Sequence, residues 1–231
     1  MRQGKNGLLI LKHITDILVF MGIDITYIAT VIAVILVSMT FHEAMHAYSS
    51  YWLGDDTAKL QGRLSLNPIK HIDPFLTLLL PLMLAIVGAP IFGGAKPVPF
   101  NPHNVRWGEW GAAIIAIAGP LTNLFIAFFV FGIWALLGTP NQGVLGQVFI
   151  TAIYVNLGFF IFNMIPIPPL DGSRVIYALA PDFVKRGMES IERFGIVIVF
   201  AIILFAGNAF GVFIISAINF FMMSFARIFG L

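Results

Sequence analysis

Long apolar runs alternate with short polar segments along the chain, and the apolar runs predict membrane-spanning helices. A helix needs about 20 predominantly apolar residues to cross a bilayer. The runs predict about six spans, at approximately residues 7–22, 25–53, 110–137, 147–166, 194–206 and 210–229. The last two come from one apolar run of 36 residues, which a turn at Gly207 and Asn208 divides.

The first predicted span, 7–22, has two interpretations. Lys12, His13 and Asp16 interrupt its apolar sequence and form one polar stripe on a helical wheel. The segment is therefore either a short span with an inward-facing polar stripe or a helix that lies at the membrane interface. We expect no cleaved signal peptide, because no clear small-residue cleavage site follows it.

Composition indicates a protein embedded in lipid. Hydrophobic residues make up 59% of the chain and charged residues 10%, and the mean hydropathy is +0.94, far above that of soluble domains. The chain has no cysteine, which excludes disulfides and thiolate metal sites. The net charge is only +2, so we expect no nucleic-acid partner. We expect residues 1–231 to form a single all-α polytopic domain in the lipid bilayer.

Lysine and arginine predict the orientation, because short cytoplasmic loops of membrane proteins are enriched in these residues. The predicted loops at 139–146 and 207–208 carry neither residue. Nine positive residues lie in the loops of the opposite side: Lys59, Arg63, Lys70, Lys96, Arg106, Arg174, Lys185, Arg186 and Arg193. We therefore expect that opposite side to face the cytoplasm.

Segment 75–102 is predicted to enter the membrane and return on the same side. Its first part is apolar, but Pro81 and Pro90 discourage a continuous helix. Lys70 and Lys96 flank the apolar part and fall on the same predicted side. Re-entrant backbone is tolerated only where it is buried in protein or lines a wet cavity. We expect a re-entrant element here, and a β-hairpin is one form that it can take.

Ionisable residues are concentrated at one point of an otherwise apolar span. His42, Glu43 and His46 follow a run that contains no ionisable group except one tyrosine. Histidines four residues apart lie on one face of a helix, where neutral imidazoles can share a zinc ion. The adjacent glutamate is placed to act on a zinc-bound water. The simpler structural alternative is a satisfied histidine pair at a helix end, but ionisable groups at membrane depth are costly and usually functional.

A hydrolytic zinc site needs a third protein ligand and an open position for water. Asp171 follows a proline-rich stretch at the cytoplasmic end of the predicted span 147–166, although Asp-Gly is also an ordinary turn signal. Glu189 is the alternative third ligand, and its neighbours Glu192 and Arg193 are typical of a solvated face. With Glu189 as ligand, the chain would be a membrane zinc peptidase of another type with a soluble-facing site.

Three motifs in this order resemble the site-2 protease family of intramembrane zinc metalloproteases. They are the His42–His46 motif in a membrane span, the Gly119-Pro120-Leu121-Thr122-Asn123 sequence in the next clear span, and the element from Asn163 to Gly172. Segments 62–74 and 96–102 resemble the compact bacterial and archaeal members, which lack PDZ and CBS domains. The resemblance covers approximately residues 25–182.

The resemblance implies a role for each of these residues. One zinc ion per chain would be bound by His42, His46 and Asp171, and Glu43 would be the catalytic acid/base. Asn163 would help to hold the substrate carbonyl as charge develops on it. On the segment that begins with Gly119 and Pro120, Asn123 is expected to pack or hydrogen-bond next to the zinc ligands.

The resemblance also implies the substrate class and the location. The partners would be the lipid bilayer and a transmembrane protein that is cut within it, as in regulated intramembrane proteolysis. We expect the cell membrane of a prokaryote, with the active site toward the cytoplasmic side.

Two other classes of membrane metalloprotein would have different sequence patterns. Ionisable residues spread over several spans would indicate a metal transporter. About eight histidines would indicate a di-iron oxygenase, whereas this chain has five histidines.

Four further polar residues are expected to have no part in catalysis. His71 and His103 fall in predicted loops, where we expect them at a surface or interface. Asp55 and Asp56 follow the helix that carries the histidine pair, and we expect them to cap and solvate its end.

Overall fold

A computed structural model of the protein describes residues 24–79, Met83, 94–205 and 207–231. In these residues the secondary structure is entirely helical, without β-strands. The helices are α1 (Ile25–Trp52), α2 (Thr57–Leu60), α3 (Glu109–Leu136), α4 (Gly143–Asn163), α5 (Gly172–Leu179), α6 (Asp182–Glu192), α7 (Gly195–Phe205) and α8 (Gly207–Phe229). Short turns of 3-10 and π type cover Pro68–Lys70 and Pro74–Leu79.

Within the described ranges, the 4 helices α1, α3, α4 and α8 are long and apolar enough to cross a membrane. They agree with four of the predicted spans to within about four residues at each end. The largest differences are at α4, which begins at Gly143 and ends at Asn163, ahead of the proline run that cannot continue a helix.

The remaining two predicted spans are not confirmed. Helix α7 occupies most of the span predicted at 194–206, and its described part, Gly195–Phe205, has 11 residues. At 1.5 Å per residue it is about 16 Å long, roughly half of the 30 Å hydrocarbon core of a bilayer. The span predicted at 7–22 lies outside the described residues.

Most of the apolar part of the predicted re-entrant segment 75–102 also lies outside the described residues. Its beginning, up to Leu79, continues a π-helical turn, and residues 94–100 are extended without a paired strand. The part of the segment that the structure describes contains no β-hairpin, so the re-entrant path stays a prediction.

The three helices α1, α3 and α4 form the centre of the molecule, and each packs against the other two. Helix α8 packs against α3 and α4 and covers a core of buried apolar side chains: Ala127, Phe131, Ile153, Leu157, Ile161, Ile218 and Phe225. The outer face of α3 is apolar as well, since Leu121, Phe125, Phe129 and Ile133 recur every fourth residue and are exposed. Such a stripe is costly in water and suits lipid.

Helix α1 carries the histidine motif and has clear signals at both ends. At its start, the Asp24 carboxylate accepts hydrogen bonds from the backbone N–H groups of Thr26 and Tyr27, at 2.8 and 3.1 Å. Just beyond its end, Gly54 has a φ of +100°, a conformation that favours glycine. Between these ends the helix runs unbroken for 28 residues, which fixes the histidine pair on one face.

Candidate metal centre

Three potential ligand atoms from two parts of the chain converge on one point. His42 and His46 lie on α1, and Asp171 directly precedes α5. The Nε2 atoms of the two histidines are 3.0 Å apart, and Oδ2 of Asp171 lies 3.3 and 3.4 Å from them. A tetrahedral zinc ion with bonds of about 2.0–2.1 Å separates its ligand atoms by about 3.3 Å. The triangle therefore has the size that one zinc ion requires.

Hydrogen bonds to the other ring nitrogens leave both Nε2 atoms free to bind a metal. Nδ1 of His42 donates to Oδ1 of Asn123 at 2.6 Å, and Nδ1 of His46 donates to the carbonyl of Ile115 at 2.7 Å. Because carbonyl oxygens only accept, each Nδ1 carries the proton and each Nε2 presents a lone pair. Two such lone pairs beside a carboxylate are a favourable arrangement only around a cation.

Asp171 occupies the N-cap position of α5 but makes no capping hydrogen bond. Its carboxylate is directed at the histidines, so the Asp-Gly pair is more than turn punctuation. A Cβ on the following Gly172 would lie 2.3 Å from the carbonyl oxygen of Met164, so only glycine lets this loop fold back onto the end of α4.

Helix α3 lies so close to the two histidines that a side chain at position 119 would have no room. A Cβ on Gly119 would lie 2.3 Å from Nε2 of His46 and 2.7 Å from Nε2 of His42. Pro120 follows inside the helix, where it removes one backbone hydrogen bond and disturbs the preceding turn. That turn includes Ile115, whose carbonyl accepts the hydrogen bond from Nδ1 of His46. Gly119 thus leaves the room that the two imidazole rings need.

Glu43 is 6% exposed and lies next to the first histidine on α1. Its Oε2 accepts a hydrogen bond of 2.9 Å from the backbone N–H of Val98, in the extended segment 94–100. The sequence did not predict this contact. Among the described residues, no donor binds the other carboxylate oxygen, Oε1, which is thus free for a proton.

The extended segment that holds Glu43 is itself fixed along one edge. Alternate residues, Gly94, Lys96 and Val98, direct backbone groups toward the protein, as in a β-strand. The N–H of Lys96 donates to the carbonyl of His71 at 2.9 Å, and its carbonyl accepts from the Arg63 guanidinium. The carbonyls of the intervening residues, Ala95, Pro97 and Pro99, therefore face the opposite edge, where the two prolines have no N–H to donate.

Two residues that we predicted to be solvated are buried instead. Asp55 is 0% exposed and accepts from the N–H of Asn101 at 2.8 Å and from the Thr57 hydroxyl at 2.6 Å. Burial raises the pKa of Asp55, but these hydrogen bonds outweigh it and hold that pKa below the ordinary value. His71 is 2% exposed, because its ring and its carbonyl both tie loops together. His103 and Asp56 are exposed, as expected.

Two more predicted residues lie near the site or on the neighbouring surface without joining the triangle. Asn163 is the last residue of α4, and its side-chain amide donates to the carbonyl of Phe159 at 3.0 Å. Its role toward a substrate carbonyl stays a prediction. Glu189 lies on α6, where it accepts from the hydroxyl of Tyr177 and raises the pKa of that tyrosine to about 12. In the described part of the chain, the group able to hold a metal contains Asp171 and not Glu189.

Sequence reasoning missed two groups that surround the histidines. One is the carbonyl of Ile115, for which only the nearby proline gave a signal. The other is Asn156 on α4, which is 1% exposed and hydrogen-bonds Asn123 at 2.9 Å. An asparagine in the middle of an apolar span was a usable signal, because polar side chains in membrane helices usually face the bundle interior.

Comparisons with known proteins agree with this geometry. The family model described as "Peptidase family M50" matches residues 137–206. "Putative zinc metalloprotease YwhC" of Bacillus subtilis is 38% identical over 186 residues, which cover 78% of this chain and 82% of the relative. "Putative zinc metalloprotease Rip2" of Mycobacterium tuberculosis is 30% identical over 176 residues, covering 76% of this chain and 66% of the relative. No solved structure matches the chain.

The family match spans α4 and the loop that carries Asp171, and the likeness to the Bacillus protein extends over most of both chains. The resemblance drawn from the sequence motifs is thereby confirmed. The chain belongs to peptidase family M50, the site-2 protease family.

Proposed function

We propose that the protein is an intramembrane zinc metalloprotease that hydrolyses peptide bonds of membrane-spanning substrate proteins. The observation that carries this proposal is the triangle formed by His42, His46 and Asp171 inside a bundle of membrane-length helices. Two imidazoles and one carboxylate are a donor set of catalytic zinc sites, which keep the fourth position open. The names of the relatives support zinc as the metal. The one triangle among the described residues would hold one ion per chain.

Glu43 would act as the general base and acid of the reaction. Bound zinc supplies Lewis acidity, which lowers the pKa of water to about 7 and polarises a carbonyl. The free oxygen of Glu43 would take a proton from water and pass it to the leaving amine. Its other oxygen, held by the N–H of Val98, fixes the direction in which the carboxylate points.

Asn163 would stabilise the oxyanion that forms on the substrate carbonyl. One N–H of its amide donates to the carbonyl of Phe159, which orients the side chain and leaves the second N–H for the substrate. An oxyanion donor contributes about 3 kcal/mol to the transition state.

The position of the histidines supports cleavage within the bilayer. His42 lies 17 residues after the start of α1 and ten residues before its end. At 1.5 Å per residue, these separations are about 25 and 15 Å along the helix axis. The site would therefore lie inside the membrane, nearer the end of α1 from which the lysine- and arginine-containing loops follow. We propose that this end faces the cytoplasm.

Segment 94–100 would help to present the substrate in extended form. A helical substrate buries its carbonyls in internal hydrogen bonds, so hydrolysis requires a locally unwound peptide. One edge of the segment is bonded to the protein and to Glu43, and the opposite edge directs backbone groups away from them. N–H groups of a substrate strand could donate to the carbonyls of that edge, beside the catalytic carboxylate. The apolar part of 75–102 would line the same cavity as a re-entrant element.

The proposal is tested by comparing membrane proteomes of cells that make the parent enzyme, Glu43→Gln or Glu189→Gln. We expect the parent and Glu189→Gln to generate the same new peptide termini inside transmembrane segments. Glu43→Gln should generate none and yet retain its zinc, because an amide keeps the shape of the side chain but cannot shuttle a proton. New termini confined to soluble loops would favour a soluble-facing peptidase, and turnover by Glu43→Gln within tenfold of the parent would exclude Glu43 as the base.

A further inference from the structure

A buried polar chain links α4 to the first histidine across the centre of the molecule. Asn156 lies on α4 and makes no hydrogen bond to either histidine itself. Its Oδ1 accepts from Nδ2 of Asn123 at 2.9 Å, and Oδ1 of Asn123 accepts from His42 at 2.6 Å. Asn123 and Asn156 are 0% and 1% exposed, so water does not compete for these hydrogen bonds.

We propose that Asn156 is a positioning residue for the metal site, which acts by fixing the orientation of Asn123 and hence the tautomer of His42. The proposal rests on the zinc site proposed above. An asparagine amide can turn over and exchange its oxygen for its NH₂ group. If Asn123 turned over, its NH₂ group would face Nδ1 of His42, which would then have to accept. The proton of His42 would move to Nε2, and the lone pair that binds the metal would be lost.

The neighbours of Asn123 allow only the productive orientation. Its NH₂ group donates to Asn156 and, at 3.4 Å, to the backbone carbonyl of Ser38. In the reversed orientation, the oxygen of Asn123 would face two other oxygens. The 3.4 Å contact is long for a hydrogen bond, so Asn156 supplies the stronger constraint.

Asn156 is itself oriented by groups that cannot reverse. Its NH₂ group donates to the backbone carbonyl of Ala152 at 2.8 Å and to the hydroxyl of Ser38 at 2.9 Å. A backbone carbonyl in a helix has a fixed direction and only accepts. The carbonyl of Ala152 thus fixes the orientation of the Asn156 amide, which fixes that of the Asn123 amide and hence the tautomer of His42.

The two histidines obtain the same tautomer in different ways. His46 donates directly to the backbone carbonyl of Ile115, which cannot turn over. His42 donates to a side chain, Asn123, which can. Of the two histidines, only His42 therefore needs a further residue to orient its hydrogen-bond partner, and Asn156 has that role.

The test is a double-mutant cycle with zinc affinity as the readout, measured by competition with a chelator on purified full-length protein. We expect Asn156→Leu to weaken zinc binding about 10- to 100-fold, the usual effect of losing a partner that orients a ligand. A carboxylate has no donor end, so it cannot present the wrong group to His42. In an Asn123→Asp background, Asn156→Leu should therefore change zinc affinity less than about threefold.

A purely structural role for Asn156 predicts the same loss of affinity in both backgrounds, and that result would overturn the proposal. Thr151→Val is the matched control, because Thr151 is also buried on α4 and bonds no described side chain. Absorption of the cobalt-substituted protein gives a second readout, since loss of the His42 nitrogen shifts the d–d bands. Asn156→Ser replaces Asn156→Leu if the latter does not fold, because serine is too short to reach Asn123.

The outcomes also separate this inference from the proposed function. If the parent protein binds no zinc, the proposed function fails. If the parent binds zinc and Asn156→Leu binds it within threefold of Thr151→Val, only the inference about Asn156 is wrong.

Discussion

The close packing of α3 against the two histidines of α1 gives the sharpest prediction. In Gly119→Ala, the new methyl carbon would lie 2.3 Å from Nε2 of His46, 2.6 Å from its Cε1 and 2.7 Å from Nε2 of His42. Optimal contacts between heavy atoms are about 3.5–4.0 Å, so each distance is short by about 1 Å or more. The overlap involves the metal-binding edges of both rings, which would have to move apart.

Neither ring can move without loss of a hydrogen bond. His46 is held by Ile115 and His42 by Asn123, both through Nδ1 at 2.6–2.7 Å. Each of these bonds is worth about 1 kcal/mol net, and a displaced ring also leaves the metal. We therefore expect Gly119→Ala to lower zinc affinity by more than about 100-fold, beyond the effect of losing one orienting partner. Proteolysis should fall below detection.

Gly158→Ala is the matched control, since Gly158 lies inside α4 and a Cβ there meets no atom within 4 Å. That substitution should leave zinc affinity unchanged and stabilise the helix by about 0.5–1 kcal/mol. Zinc content and affinity of the two purified variants, compared at matched helicity by circular dichroism, decide the matter. A Gly119→Ala protein that binds zinc as tightly as Gly158→Ala would refute the packing of α3 against the histidines.

Three further predictions concern the surroundings of the site. The pKa of Asp55 is lowered in the folded state, so its carboxylate stabilises the fold above the ordinary Asp pKa of about 3.9 and stabilises it less as the pH falls below that value. The difference in melting temperature between the parent and Asp55→Asn should therefore shrink below about pH 4, and a constant difference would contradict this. Asn163→Ala should slow cleavage about 100-fold with zinc content unchanged, whereas a loss of zinc would assign the residue a structural role. Cysteines introduced at Ile72 and Asn104 should label from the same side of the membrane in this cysteine-free chain, and labelling from opposite sides would make the intervening segment a true span.

Apolar length was sufficient to predict the four long helices, because the bilayer imposes one length on every span and little else competes. The same criterion predicted two spans in the run near the C-terminus, and among the described residues only the second, α8, is long enough to cross a bilayer. The described part of the first is the helix Gly195–Phe205. A Cβ on Gly195 would lie 2.5 Å from Pro169, so the start of this helix is placed by close packing against the proline loop, which apolar length does not report.

The spacing of the histidines and the Asp-Gly element pointed to the residues that converge, because local helix geometry and a turn are encoded nearby in the chain. Contacts made by backbone groups were almost impossible to predict from the sequence. The N–H of Val98 on Glu43 and the carbonyl of Ile115 on His46 depend on the tertiary path of the chain. For Asp55, position after a helix suggested a solvated cap, whereas its donors come from Asn101 and other residues that fold over it.

Zinc content of three purified proteins checks the proposed metal site: the parent, Asp171→Ala and Glu189→Ala. We expect one zinc per chain in the parent and in Glu189→Ala, and a loss of zinc together with proteolysis in Asp171→Ala, because the aspartate completes the triangle with His42 and His46. Active parent protein without zinc, or Asp171→Ala with its zinc intact, would show that the triangle is not the metal site.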